Sequence, residues 1–560
     1  MKRDLNTLAN TEYDLIVIGS GIYGANTAWD AALRGLKVAL IEKDDFGGAT
    51  SANSLKTIHG GLRYLQQLDF KRMRESIRER MILMRIAPQF VYPLRVVMPT
   101  YSYKMKSRPA LMAALIANDI IGFDRNGLND PHKYMPNGYT VSSKKVDEYI
   151  PGYTKYNLNG GAVWYDCQCY NTERMLLSFV HSAAEHGADV ANYLKATELI
   201  YDGKRVVGVK TKDEFTGNTL DIRGKIVINS GGPWVDQLLA SLNGKAPERK
   251  FTLSSAMNIV VKRNLLNGNA AGISGPYKYI HPDGSEYNAH RILFFSSWRD
   301  YTIIGTNHLV YHKKDAPEQY KVSEAEIQDF LACVNQAYPA AEIKRNEVTF
   351  FYGGFLPMAG QHPNSGEVQL EKHYQICDHM ASHKIDGLIT VVGVKYTTAR
   401  DVAKKTIDLA FKKLGKKDPG TKTDVTPIYG GEINRFLDFQ EQLVSNQPYK
   451  IPEASLKHLS YNYGSAYKDI LQYAEDSADW AQLLPGSDEV LKAEVLHGVR
   501  EEMAMKLSDI ILRRTDMGSG EQPNADAISA AADIMAAELK WDDKRKQQEI
   551  DDVNQIYVSV

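Results

Sequence analysis

Gly19, Gly21 and Gly24 read as G-x-G-x-x-G, and Glu42 closes the next apolar run. Glycines at that spacing allow a tight turn, close approach of backbone to a pyrophosphate, and close packing of a helix on a strand. The helix N-terminus after them offers N–H groups and partial positive charge to phosphate. An acidic residue after the second strand accepts hydrogen bonds from ribose hydroxyls. The chemistry these residues imply is dinucleotide binding.

The next block narrows the choice of dinucleotide. Small and hydroxyl-bearing residues (Gly47-Gly48-Ala49-Thr50-Ser51, then Asn53-Ser54) lead into Ile58-His59-Gly60-Gly61-Leu62-Arg63-Tyr64-Leu65. Such a loop suits a pyrophosphate and the edge of a flavin, and His59-Gly60-Gly61 brings bare backbone toward a planar ring. Two later apolar runs also end in glycine: 225–229, which enters Ser230-Gly231-Gly232, and 387–392, which enters Gly393. Strands that return to one glycine-lined place after long excursions are what an FAD-binding sheet requires.

ATSANSLKTIHGGLRYLQ (49–66), NSGGPWVD (229–236), IIGT (303–306), VVGVKYTTAR (391–400) and HGVREEMAMKLSDIILRRT (497–515) together resemble the FAD-dependent glycerol-3-phosphate dehydrogenases over nearly the whole chain. That resemblance implies non-covalent FAD and oxidation of a secondary alcohol by hydride transfer to flavin N5. It implies electrons passed to membrane quinone, or to oxygen in an oxidase branch. By its motifs Gly19, Gly21, Gly24, Glu42, Thr50, Ser51, Ser54, Gly232 and Thr397 would contact FAD, and Arg63 and Lys395 would line the substrate pocket. The residue types agree, since a guanidinium binds phosphate or carboxylate bidentately and a lysine stabilises negative charge on oxygen.

On the substrate side the pattern departs from the family. Leu356 stands where the resemblance places a phosphate-binding arginine, and Asn258 where it places a histidine. Lys372-His373-Tyr374 replaces an R-D-Y-like site, so Lys372 and His373 are expected to rebuild the anion pocket or to accompany a changed substrate. His308 is the first candidate for the base that takes the hydroxyl proton, with His373 and Lys395 as alternatives. His59 is expected to position backbone. Three readings stay open: a quinone-linked dehydrogenase on a membrane, an oxidase for another hydroxylated or amine substrate, and a non-catalytic FAD-binding protein.

These residues need a scaffold, and the hydropathy pattern supplies one. Apolar runs at 14–18 and 37–42 flank a helical stretch at 23–34, a βαβ unit. A helix at 173–186 and strands at 196–201, 205–211, 219–223 and 225–229 follow. The expected fold is α/β: an FAD-binding Rossmann-like domain of the glutathione-reductase/D-amino-acid-oxidase type (1–75, 166–240, 386–429), an interleaved antiparallel-sheet substrate domain (76–165, 241–385), and a C-terminal helical domain (430–560). The tail is expected to serve assembly or stability, with Arg500, Arg513 and Arg514 as a cationic face that lipid headgroups could meet.

Composition bounds the partners. A net charge of −1 over 560 residues, without like-charge runs, argues against nucleic acid. Four cysteines are too few for a disulfide framework and read as free thiols. No apolar run reaches the ~20 residues that span a bilayer. The stretch 110–117 (ALMAALIA) reads either as a core helix or as a membrane-contacting face. The expected location is cytoplasmic or peripheral on the inner face of the membrane, the substrate a small hydroxylated anion, and a homodimer is compatible with the sequence.

Overall fold

In the computed structural model, residues 1–101, 107–153, 158–239, 252–280, 284–311 and 321–559 are described. The strand Glu12–Ile18 is buried on both faces over most of its length, which its continuous apolar run dictates for a central parallel strand. It pairs in parallel with Val38–Ile41 on one side and Thr219–Asn229 on the other. The sheet order is Gln375–Asp378, Leu388–Val392, Thr219–Asn229, Glu12–Ile18, Val38–Ile41, Asp189–Ala191. The runs 219–223 and 225–229 are one strand, because Gly224 continues the ladder against Tyr13. Helices Ile22–Leu33, Thr172–Glu185 and Ala399–Leu414 bury their apolar stripes in one core against this sheet.

A second, ten-stranded sheet carries the substrate-side residues. At its centre Thr252–Val261 lies antiparallel between Tyr301–Tyr311 and Val348–Gln361. Helix Glu324–Ala337 packs on its back through Ile327, Phe330 and Val334. The expected boundary at 75 cuts through helix Phe70–Ile86. The C-terminal part of that helix, 76–86, belongs to the core of the first domain through Ile82, Leu83, Met84 and Ile86. The short strand Thr57–Ile58, by contrast, pairs with Gly160–Cys169 in the second sheet.

The tail is helical. Within it Lys492–Arg500 is a helix, and the short helix Leu507–Asp509 runs into a π-helical turn, Ile510–Arg514. That turn points Arg513 and Arg514 inward, where both pair with buried Asp45 just after the Glu42 strand. Neither arginine is therefore available to lipid. Arg174 and Glu502 form a second buried pair across the same junction at 2.6 Å. Removing one partner of such a pair costs roughly 3–5 kcal/mol, so the tail buttresses the cofactor loop. The four cysteines are free.

Helix Arg108–Ile121 contains the ALMAALIA stretch, and Leu115 is its one buried residue. A core helix would bury a full stripe. Here Ile116, Ile120 and Phe123 stay exposed, Phe123 at 80%. Among the described residues no helix is long and apolar enough to cross a membrane.

Candidate functional site

Between the carboxyl ends of the parallel strands and the front of the second sheet lies a cavity of about 390 Å³. This crevice is where ligands bind in open α/β sheets. Its lining includes Gly19, Gly21, Glu42, Thr50, Ser51, Ser54, Gly232, Gly393 and Thr397. Strand Glu12–Ile18 delivers the first two glycines, and Gly21 caps helix Ile22–Leu33. The Ile22 N–H donates to Ser51 Oγ at 2.9 Å, and Thr50 Oγ1 donates to the Phe355 carbonyl at 2.9 Å. Those bonds hold the hydroxyl-rich loop between helix and second sheet. Glu42 Oε2 accepts the Ser20 N–H at 2.7 Å, and burial holds its carboxyl above the usual carboxylate range.

Two of the expected cofactor contacts lie behind the cavity wall. A Cβ on Gly24 would sit 1.8 Å from the Gly19 carbonyl oxygen, so Gly24 serves the contact of helix with turn. Gly60 donates its N–H to Asp166 Oδ1 at 2.6 Å and leaves room for Arg80, whose Nη1 lies 2.3 Å from where a Cβ would be.

The residues fit FAD on several grounds. The glycine turn leaves backbone bare at a helix N-terminus, and Glu42 ends the next strand. Ser230 Oγ and Trp234 Nε1, on lining residues, are buried without a hydrogen-bond partner among the described residues. A polar ligand in the cavity would satisfy such orphaned groups.

The same cavity carries the groups that could act on a substrate. His59 and Lys395 line it, together with Asn258, Thr306 and Leu356. His59 Nδ1 is 3.0 Å from Asp166 Oδ2, and the ring packs edge-on against Phe294. Lys395 Nζ donates to Ser76 Oγ at 2.7 Å and lies over the Tyr64 ring. Burial pushes the Lys395 ammonium down to about 7, with the Asp166 carboxylate opposing the shift. An anion bound beside Lys395 would restore its charge above that pH. Asn258 Oδ1 accepts from Thr306 Oγ1 at 2.8 Å, which fixes the amide.

Four of the substrate-side candidates fall elsewhere. Arg63 is exposed on the short 3-10 helix Leu62–Gln67 and is outside the cavity lining. His308 is on the front of the second sheet beside Ala256, one row further out, with Nδ1 3.4 Å from Ser254 Oγ. Burial, with the charges of Arg291 and Arg63, lowers the His308 imidazole to about 4. Lys372 and His373 are exposed after the edge strand Val368–Leu370 and line no part of the cavity. Of the histidines singled out from the sequence, His59 lines the cavity, whereas His308 and His373, like Lys372, do not. Sequence reasoning missed Asp166 and Ser76, because neither belongs to a motif; their partners lie 107 and 319 residues away along the chain.

Comparison with known proteins bears on the same regions. Residues 14–399 match the family model described as FAD dependent oxidoreductase. Residues 421–546 match the C-terminal domain of alpha-glycerophosphate oxidase. A glycerol-3-phosphate dehydrogenase of Synechocystis sp. is 33% identical over 92% of this chain and 90% of its own length. The human mitochondrial glycerol-3-phosphate dehydrogenase is 31% identical over 98% of this chain and 73% of its own. In fold the chain is similar to the glycerol-3-phosphate dehydrogenase of Bacillus halodurans, solved with FAD. The TM-score is 0.75 over 99% of this chain and 96% of that one, at 24% identity.

Proposed function

The chain belongs to the FAD-dependent oxidoreductase family of the glycerol-3-phosphate dehydrogenases and is an FAD-dependent dehydrogenase, and we propose that it oxidises the secondary alcohol of a small anionic substrate related to glycerol 3-phosphate. One observation carries this reading: a histidine paired with a buried carboxylate and a desolvated lysine share one cavity with the dinucleotide-binding turn. FAD, when bound, supplies a two-electron acceptor at N5. His59 Nε2 takes the hydroxyl proton while the carbinol C–H leaves as hydride, so the alcohol becomes a ketone. Lys395, cationic with an anion beside it, holds the substrate and stabilises negative charge on its oxygen. Residues of the second sheet and of the 49–54 loop line the same cavity.

The substrate end differs from a phosphate clamp. No arginine is among the residues lining the cavity; Lys43 and Lys195 lie on the Glu42 side, which leaves Lys395 as the cation beside His59 and Asn258. Leu356 presents an apolar surface where an arginine would meet phosphate. The test is anaerobic mixing of the yellow protein with a panel of secondary alcohols bearing phosphate, carboxylate or neutral ends. Bleaching of the flavin by an anionic alcohol is the expected result. If no alcohol bleaches it, the protein binds FAD without this chemistry.

Electrons then pass to quinone at a membrane surface. Ile116, Ile120, Phe123 and Tyr134 line one shallow exposed groove. Leu68 and Phe70 are exposed on the neighbouring turn and helix. Asp119, Arg125, Asn126 and Asn137 share that groove, and a mixed face of exposed apolar side chains and charged neighbours is the one that would lie in the headgroup layer. Ile120→Asp with Phe123→Asp should lower co-sedimentation with anionic vesicles about tenfold or more. Reduction of the flavin by substrate should be unchanged. Vesicle binding equal to wild type would remove this face from the account.

A further inference from the structure

We infer that Asp166 is the positioning residue that makes His59 a base, a conclusion that rests on the reading of His59 given above. The pairing of Thr57–Ile58 with Gly160–Cys169 sets Ile58 opposite Cys167 and so brings His59 beside Asp166. Both carboxylate oxygens are occupied. Oδ2 faces His59 Nδ1 at 3.0 Å and Trp164 Nε1 at 3.4 Å. Oδ1 accepts from the Gly60 N–H at 2.6 Å and from Arg80 Nη1 at 3.0 Å. A carboxylate gripped from four directions cannot rotate away. It is also only 4% exposed.

That environment settles its charge. Burial works to raise the carboxyl, and the bond from His59, the charge of Arg80 and the Gly60 N–H together hold it well below the usual carboxylate range. A carboxylate accepts and does not donate. The proton between the two groups therefore belongs to His59 Nδ1, which leaves the Nε2 lone pair as the ring's acceptor. Phe294, packed edge-on at 5.2 Å, restrains the ring on one side. Arg80 in turn is fixed by the Tyr165 carbonyl at 2.7 Å, so the cation is bound to the frame and does not compete for substrate. The charge of Asp166 also acts on Lys395, favouring its ammonium form. One carboxylate thus orients the base and supports the Lys395 cation.

The test compares His59→Gln, Asp166→Asn and the double variant, each as FAD holoprotein, by anaerobic stopped-flow reduction with the best alcohol of the panel. His59→Gln should slow flavin reduction roughly 10²–10⁴-fold, the span of a general base. Asp166→Asn should slow it about 10²-fold or more, with the substrate Kd changed much less. In the His59→Gln background Asp166→Asn should add less than about threefold, because residues acting as a unit are non-additive. If Asp166→Asn does not accumulate as holoprotein, Asp166→Asn with Arg80→Gln removes both charges and takes its place. A second readout is independent of turnover. In ¹⁵N-histidine spectra the His59 signal, identified by its loss in His59→Gln, should report a protonated Nδ1, and the Asp166 variant should lose that tautomer. Full reduction rates in His59→Gln would overturn the base reading. A slowed His59→Gln with undiminished, additive loss from Asp166→Asn, or an unchanged tautomer, would overturn the role of Asp166 alone.

Discussion

Gly21→Val is expected to yield a folded protein that holds no FAD. Gly21 has φ −61°, a conformation open to any residue, so no backbone strain requires glycine there. A Cβ at this position would meet only Ser51 Oγ, at 3.3 Å. The protein itself therefore tolerates a small side chain, and what valine would fill is the cavity space that bare backbone leaves for the pyrophosphate. Binding should fall by at least three decades, about 4 kcal/mol. The check is the 450 nm absorbance of purified protein before and after incubation with excess FAD, beside circular dichroism for folding. Gly24→Val is the contrasting variant. Its Cβ would lie 1.8 Å from the Gly19 carbonyl oxygen, so it should fail to accumulate at all. A yellow Gly21→Val protein with a normal flavin ratio would mean that the cofactor lies elsewhere.

The glycine turn could be read from sequence because its chemistry is local: strand, turn and helix lie within one short stretch. The reacting end is less legible for a physical reason. His59 and Asp166 meet through antiparallel pairing of strands that are distant in the chain, and nothing near His59 in sequence announces a carboxylate. The same holds for Lys395 and Ser76, joined from the last strand-to-glycine return and from helix Phe70–Ile86. Lys372 and His373 lie outside the cavity, since position in a motif says nothing about which way an edge loop faces, and here it faces solvent. The helical period of Arg513 and Arg514 predicts an outward cationic face, and the π-helical turn at 510–514 carries both inward to Asp45. The continuous apolar runs at 14–18, 37–42 and 225–229 located the central parallel strands, because burial on both faces leaves a run that is hard to mistake.

Glycerol 3-phosphate itself is expected to be a poor substrate, and this is the second large effect. Leu356 pairs with Ser254 and Gly354 with Ala256, so the front of the sheet here offers a leucine among small residues. Asn258, held by Thr306, contributes an amide in place of an imidazole. A charge-assisted hydrogen bond is worth about 1.5–3 kcal/mol, so the absence of one guanidinium weakens phosphate binding by about one to two decades. The cavity keeps Lys395, which still attracts an anion, and the leucine favours a bulkier or less charged group at the far end. The expected substrate is an anionic secondary alcohol larger than glycerol 3-phosphate.

The measurement that bears most directly on this account is anaerobic titration with glycerol 3-phosphate, followed by flavin bleaching. It compares wild type with a variant carrying Leu356→Arg and Asn258→His. Wild type should bleach only at millimolar concentration, and the double variant should do so at ten- to a hundredfold lower concentration. Efficient bleaching of wild type at micromolar glycerol 3-phosphate would contradict the altered substrate end.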